Sequence, residues 1–226
     1  TSGGGLGLAD VIVKQLGQTE DSYTPASVIR SDGDILSLNR SRAYKVAEAQ
    51  DIALSSESIR SQSAQKDAMF ENPEQFVESL MPIAEKVAAK YGMDPKAIIS
   101  QAAVETGWGK FVIHKADGES SHNLFGIKAN KGWQGEQAVV DTLEFNNGLP
   151  QKQKAAFRSY SSVEDAMEDY GRFITSQPRY SHAVENASDA ARYTHALQEA
   201  GYATDPEYAR KIMAVYNSDR LSTLMP

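Results

Sequence analysis

From residue 73 onward apolar positions recur at three- and four-residue spacing, whereas before it they are scattered. Phe76, Val77, Leu80, Ile83, Ala84 and Val87 make one stripe, which predicts a helix ending near Tyr91-Gly92. Pro82 falls inside it, where proline kinks or splits a helix. Asp94-Pro95 opens a second helix, because the aspartate caps free N–H groups and proline at the first position gives up only an N–H with no partner. Ile98, Ile99, Ala102 and Ala103 form its buried stripe, and Gly107 and Gly109 end it. A polar loop over 111–122 follows. Residues 137–145 and 153–160 then flank Asn146-Asn147-Gly148, a hairpin signal. Alternation puts Ala138, Val140, Thr142 and Glu144 on one face and Val139, Asp141, Leu143 and Phe145 on the other. Helical patterning resumes with a capping box of Ser161 and Glu164, leading through Ala166, Tyr170 and Phe173 to a break at Pro178-Arg179-Tyr180. A further helix is expected over 187–199, and Asp205-Pro206 starts a last one through Tyr208, Ile212 and Tyr216.

The scattered N-terminal part divides in two. Residues 1–16 begin with a glycine cluster and run into a short amphipathic helix signal that lacks the apolar surface to stand alone. Residues 17–72 are rich in Ser, Gln, Asp and Ala with few aromatics, the composition of a polar, largely disordered linker. An isolated helix over 43–54 fits there, but its apolar residues are too sparse for a core. The whole chain of 226 residues, 41% hydrophobic, holds one domain of ordinary size with these extra segments.

Charge and composition exclude several classes of function. A net charge of −7 argues against nucleic acid as a partner, and no basic run suggests a membrane surface. No apolar run is long enough for a membrane span, and the opening residues lack the pattern of a cleavable secretory signal, so any export takes another route. There is no cysteine, and His114, His122, His182 and His195 show no metal-ligand spacing.

One carboxylate stands out. Glu105 lies three residues after Ala102 and seven after Ile98, so it shares the buried stripe of its helix. It also falls in the last turn, where unpaired carbonyls and the negative end of the helix dipole disfavour an anion. Burial beside Trp108 acts in the same direction, toward the protonated form that a general acid needs. Against this stands the common case of a glutamate near a helix end that is only solvated.

Glu105-Thr106-Gly107-Trp108-Gly109, then Asn123-Leu124-Phe125-Gly126-Ile127-Lys128, then Gly201-Tyr202-Ala203-Thr204-Asp205-Pro206 resemble, in that order, the motifs of the glucosaminidases of glycoside hydrolase family 73. The likeness spans 73–226 and is greatest to the flagellar members. It implies an α+β, mainly helical, lysozyme-like domain with a small β-hairpin lobe that hydrolyses peptidoglycan glycan strands after N-acetylglucosamine, in the periplasm, without a cofactor. Residues 1–16 resemble the end of the rod-scaffolding domain of such proteins, which implies flagellar rod proteins as partners of the full-length molecule.

The resemblance also assigns roles. Glu105 is the implied general acid. Glu144 matches the second functional glutamate by order and by its place on the first strand, with Asp141 the nearest competitor and a cross-strand pair with Lys152 or Lys154 the plain alternative. Tyr202 is implied in catalysis, and it equally suits a half-buried anchor of its turn. Candidate substrate-binding residues are Trp108, Asn123, Phe125, Tyr160 and Tyr180, with Trp133 a further aromatic for stacking on sugar, although the 123–128 motif as a whole reads first as core or scaffold, with Leu124, Phe125 and Ile127 in the core. Glu144 would stabilise an oxocarbenium-like transition state or activate water, or the substrate's own acetamido group would attack; inversion and retention both stay open. A lytic transglycosylase and a non-catalytic wall-binding or rod-scaffold module are the alternatives from other classes.

Overall fold

The computed structural model describes residues 68–146 and 149–225, with backbone alone over 142–146 and 149–153. The expectations for 1–16, for the possible helix over 43–54 and for most of the polar segment therefore lie outside the described residues. Helix α1 (Pro73–Tyr91) is capped by Asn72, whose side chain accepts from the Gln75 N–H at 2.8 Å, and it closes on Gly92 in the left-handed conformation. It is not split at Pro82. The proline lies on the exposed side while Leu80, Ile83 and Ala84 on either side of it are buried, so packing of both halves outweighs a cost of about 3 kcal/mol.

Helix α2 (Pro95–Thr106) starts where Asp94 accepts from the N–H groups of Lys96 and Ala97 at 2.8 and 3.2 Å. It packs against α1 and against the later helix α6 (Tyr208–Tyr216). Nearly every side chain of α2 is buried, Ser100, Gln101, Glu105 and Thr106 included, which marks it as the central helix of the core.

Strands β1 (Gln137–Asn146) and β2 (Leu149–Arg158) form an antiparallel ribbon with register Gln137↔Arg158 through Asn146↔Leu149. The second strand thus starts four residues earlier than the expected 153. The ribbon's base is tied to the domain: Arg158 donates its N–H to the Ile127 carbonyl, Ala129 to Ala156, and Ser159 to Glu136, each at 2.9 Å. Ala138 and Phe157 are buried there.

The remaining elements are α3 (Val163–Ser176), a 3-10 turn (Pro178–Tyr180), α4 (Ser181–Glu185), α5 (Ala190–Glu199), α6 and α7 (Asp219–Leu224). Two expected starts shift. Ser162, not Ser161, caps α3 by accepting from Asp165 N–H, while Ser161 donates its hydroxyl to the Asp165 carboxylate. Asp189 caps α5, so that helix begins at Ala190 rather than 187. Asp205 and Pro206 form a turn leading into α6 at Tyr208 instead of its first turn, and α7 was not predicted. Ahead of α1, Phe70 is 7% exposed and packs edge-on against Phe76.

Candidate active site

The end of α2 fixes the proposed acid. Glu105 is 1% exposed, as its place on the stripe requires, and Gly107 turns the chain away immediately after it. Tyr208, at the start of α6, donates its hydroxyl to Glu105 Oε1 at 2.8 Å. That hydroxyl in turn accepts from Gln101 Nε2 at 2.8 Å, and Gln101 Oε1 accepts from Tyr170, whose hydroxyl also meets that of Tyr193. Burial, then the interaction with Glu105, push the Tyr208 hydroxyl well above the ordinary tyrosine range, so it stays protonated and a donor to Oε1 of Glu105 at any physiological pH. Neither Tyr208 nor Gln101 was singled out from the sequence. One signal was there: Gln101 precedes Glu105 by four residues, which places a polar side chain on the same helix face.

Tyr202 is fully buried. Its hydroxyl donates to the Phe125 carbonyl at 2.9 Å and its ring stacks on Tyr208 at 5.7 Å between centroids, one residue removed from Glu105. Phe125 and Tyr180 expose no surface, so neither meets a sugar in this structure: Phe125 stacks on Tyr170 at 4.0 Å and Tyr180 packs against Phe173 and Tyr202. The Asn123 amide is also committed elsewhere. It donates to the Ile127 and Arg158 carbonyls at 2.9 and 2.8 Å and accepts from Ile127 N–H at 3.0 Å, tying the 123–127 loop to the base of β2.

Two aromatic candidates keep accessible surface. Trp108 is half-buried, with its indole edge-on to Phe76 at 5.7 Å. Trp133 lies over the Arg158 guanidinium at 4.7 Å and edge-on to Tyr160, and its N–H donates to the Glu136 carbonyl. Trp133 and Tyr160 line a cleft of ≈ 550 Å³ together with Glu136, Asp165 and Glu168. Tyr160 itself is 8% exposed and donates its hydroxyl to Asp169, so it offers the cleft little of its ring. Glu144 stands opposite Gln151 in the ribbon register, Lys152 opposite Leu143 and Lys154 opposite Asp141. Neither lysine is its cross-strand partner, and both fall on the other phase of the strand alternation. Among the described residues no three His, Asp or Glu side chains gather as metal ligands, and no helix is long and apolar enough to cross a membrane.

Removing the Tyr208 hydroxyl takes one acceptor from Gln101 Nε2 and one donor from Glu105. Tyr208→Phe is expected to lower stability by about 1–3 kcal/mol. It should also cut turnover by about tenfold through a misplaced carboxyl, read as kcat against melting temperature.

A mainly helical domain with one antiparallel ribbon is the architecture that this chain shares with solved glycoside hydrolase domains. It aligns with a C-terminally truncated glycoside hydrolase domain of Salmonella typhimurium FlgJ at TM-score 0.56 and 40% identity, covering 67% of this chain and 99% of that one. A peptidoglycan hydrolase mutant from Sphingomonas sp. A1 aligns at TM-score 0.62 and 39% identity, covering 67% and 97%. The glucosaminidase family model, described as mannosyl-glycoprotein endo-beta-N-acetylglucosaminidase, matches residues 81–221, and the chain belongs to that family. Peptidoglycan hydrolase FlgJ of Vibrio parahaemolyticus is 41% identical over 217 residues, 95% of this chain and 70% of that protein. The chain spans 64% of the FlgJ of Vibrio cholerae.

Proposed function

We propose that the chain is an endo-acting β-N-acetylglucosaminidase of peptidoglycan and that Glu105 is its proton donor. The observation that carries this is the buried Glu105 carboxyl, closing the central helix and held by Tyr208, in a chain of the glucosaminidase family. The Glu105 proton passes to the glycosidic oxygen as the bond from C1 breaks. Water supplies the oxygen that ends on C1, and its proton restores Glu105 or its partner group. At 1% exposure the carboxyl meets a glycosidic oxygen only after its cover has shifted.

Glu144 is the proposed second group, on a ribbon that is bonded to the domain at its base. The two carboxylates belong to different elements, so ribbon movement sets their separation. Trp108 and Trp133 are the proposed sugar-facing aromatics. Glycan strands of the cell wall are the proposed substrate, and the proposed setting is the periplasm, at the flagellar rod of the full-length protein.

The test is digestion of purified peptidoglycan with mass spectrometry of the new chain ends. Reducing N-acetylglucosamine ends are expected; anhydromuramic ends would move the protein to the transglycosylases, and no products from folded protein would leave a wall-binding module. In the same assay Glu144→Gln is expected to lose about tenfold to a hundredfold in kcat with the fold unchanged, the scale of a second carboxylate's contribution. Full activity would remove Glu144 from the site.

A further inference from the structure

Glu105 is followed, one residue on, by three successive positions at positive φ: Gly107 at 58°, Trp108 at 61° and Gly109 at 83°. Glycine adopts this conformation freely, but a tryptophan there crowds its Cβ against the following carbonyl. Such a run persists only where its surroundings hold it. Support comes from two sides. From within, Thr106 Oγ1 donates to the Ala102 carbonyl at 2.7 Å and accepts from Gly109 N–H at 2.9 Å. From outside, Met69 donates its N–H to the Gly109 carbonyl at 3.2 Å. The Phe70 ring lies so close over Gly109 that a Cβ there would stand 2.3 Å from Phe70 Cδ2. Phe70 also meets Phe76 edge-on at 5.1 Å, and Phe76 meets the Trp108 indole edge-on at 5.7 Å.

We propose that Met69 and Phe70 are positioning residues that clamp the 107–109 turn and, through it, the last turn of α2 that aims Glu105. The proposal rests on the reading of Glu105 as proton donor. The mechanical link is short. Gly107 and Trp108 both return their N–H groups to the Ala103 carbonyl, so the turn's conformation decides whether the last helical hydrogen bonds around Glu105 are kept. Opening the clamp lets the turn relax, and a displacement of about 1 Å at a reacting group is enough to cost on the order of a hundredfold in rate. Residues 69 and 70 also stand where residues 1–67 join the domain. Anything that draws them off Gly109 lowers turnover without touching the substrate.

The experiment uses the full chain with Phe70→Ala, Phe70→Leu and, as a matched core control at the far end of α1, Val87→Ala. Both kcat and KM are measured on purified peptidoglycan below each variant's melting transition. Trp108 emission is followed in a Trp133→Phe background, where it is the remaining tryptophan. Phe70→Ala is expected to lower kcat by about tenfold or more, a larger factor than any rise in KM from the displaced indole, with Trp108 emission shifted to the red. Phe70→Leu should recover most of both signals, and Val87→Ala should keep wild-type kcat. Should Phe70→Ala fail to fold, Phe70→Leu carries the test, with an expected loss of about threefold. Wild-type kcat in both Phe70 variants, or a loss equal to that of Val87→Ala, overturns the clamp. A shifted Trp108 emission in a chain whose wild type hydrolyses nothing would keep the contact but remove the reaction on which the proposal rests. Ordinary hydrolysis with unshifted emission would remove the clamp alone.

Discussion

Glu105→Gln is expected to leave a folded protein whose turnover of peptidoglycan falls by about a thousandfold or more, the range in which a lost general acid lies. The side chains differ by one group and fill nearly the same volume, so the buried end of α2 should repack little. Oε1 of glutamine can still accept from the Tyr208 hydroxyl, and melting is expected to shift by no more than about 4 °C, the equivalent of roughly 1 kcal/mol in a domain of this size. Substrate binding should be nearly intact, because the proton is transferred only in the transition state. The signature is therefore a collapse of kcat at near-constant KM, read as new reducing ends against calorimetry. Activity above about a tenth of wild type in folded protein would take the proton-donor role away from Glu105. Glu164→Gln, on the exposed first turn of α3, serves as the carboxylate control and should be silent.

The parts of this site that a sequence displays are those written in local spacing. Asp94-Pro95 and Gly107 mark both ends of the twelve-residue helix α2, and the three-and-four spacing of its apolar residues turns Glu105 inward. Partners remote in sequence leave no such trace: Tyr208 reaches Glu105 from 103 residues away and Asn123 reaches Arg158 from 35. Residue type misleads for the aromatics, because a phenol or phenyl ring serves a sugar face or a core equally well. Only the packing of Tyr170, Tyr180 and Tyr202 into one cluster shows why Phe125 and Tyr180 face inward. Local ambiguity explains the smaller misses. Ser161 and Ser162 both fit a cap, and the register is decided by which hydroxyl meets Asp165 N–H. Helix α7 has six residues, too few for a periodic stripe, and it is fixed by the burial of Leu221.

Asp169→Ala should be the most destabilising of these changes. Asp169, 4% exposed in its side chain, binds Arg158 Nη1 at 2.6 Å and accepts the Tyr160 hydroxyl at 2.8 Å, and the exposed Arg172 also reaches it at 2.7 Å. Arg158 is itself buried, over Trp133 and Phe173, and its Nε has no hydrogen-bond partner among the described residues. Removing the carboxylate strands that guanidinium, which is expected to cost about 3–5 kcal/mol, or roughly 10 °C in melting temperature for a domain of this size. The pH dependence has a definite sign. Burial pushes the Asp169 carboxyl up, but hydrogen bonds from Arg172, Arg158 and Tyr160 outweigh it and hold the group below its ordinary value of 3.8. The unfolded chain therefore takes up this proton first, so the stabilisation is complete above that value and drains away as pH falls through the lower folded one. Wild type should thus lead Asp169→Asn by a constant margin from about pH 7 to 5 and begin to lose that lead as the pH falls through 3.8. A margin that stays flat to the acid end would mean that the pair is not what holds the ribbon base. The consequence reaches the site, because the Arg158 carbonyl accepts the Asn123 amide and the same loop offers the Phe125 carbonyl to Tyr202. A chain that loses Asp169 should therefore lose turnover at temperatures well below its own melting point, as the support behind Tyr208 and Glu105 loosens before the domain unfolds.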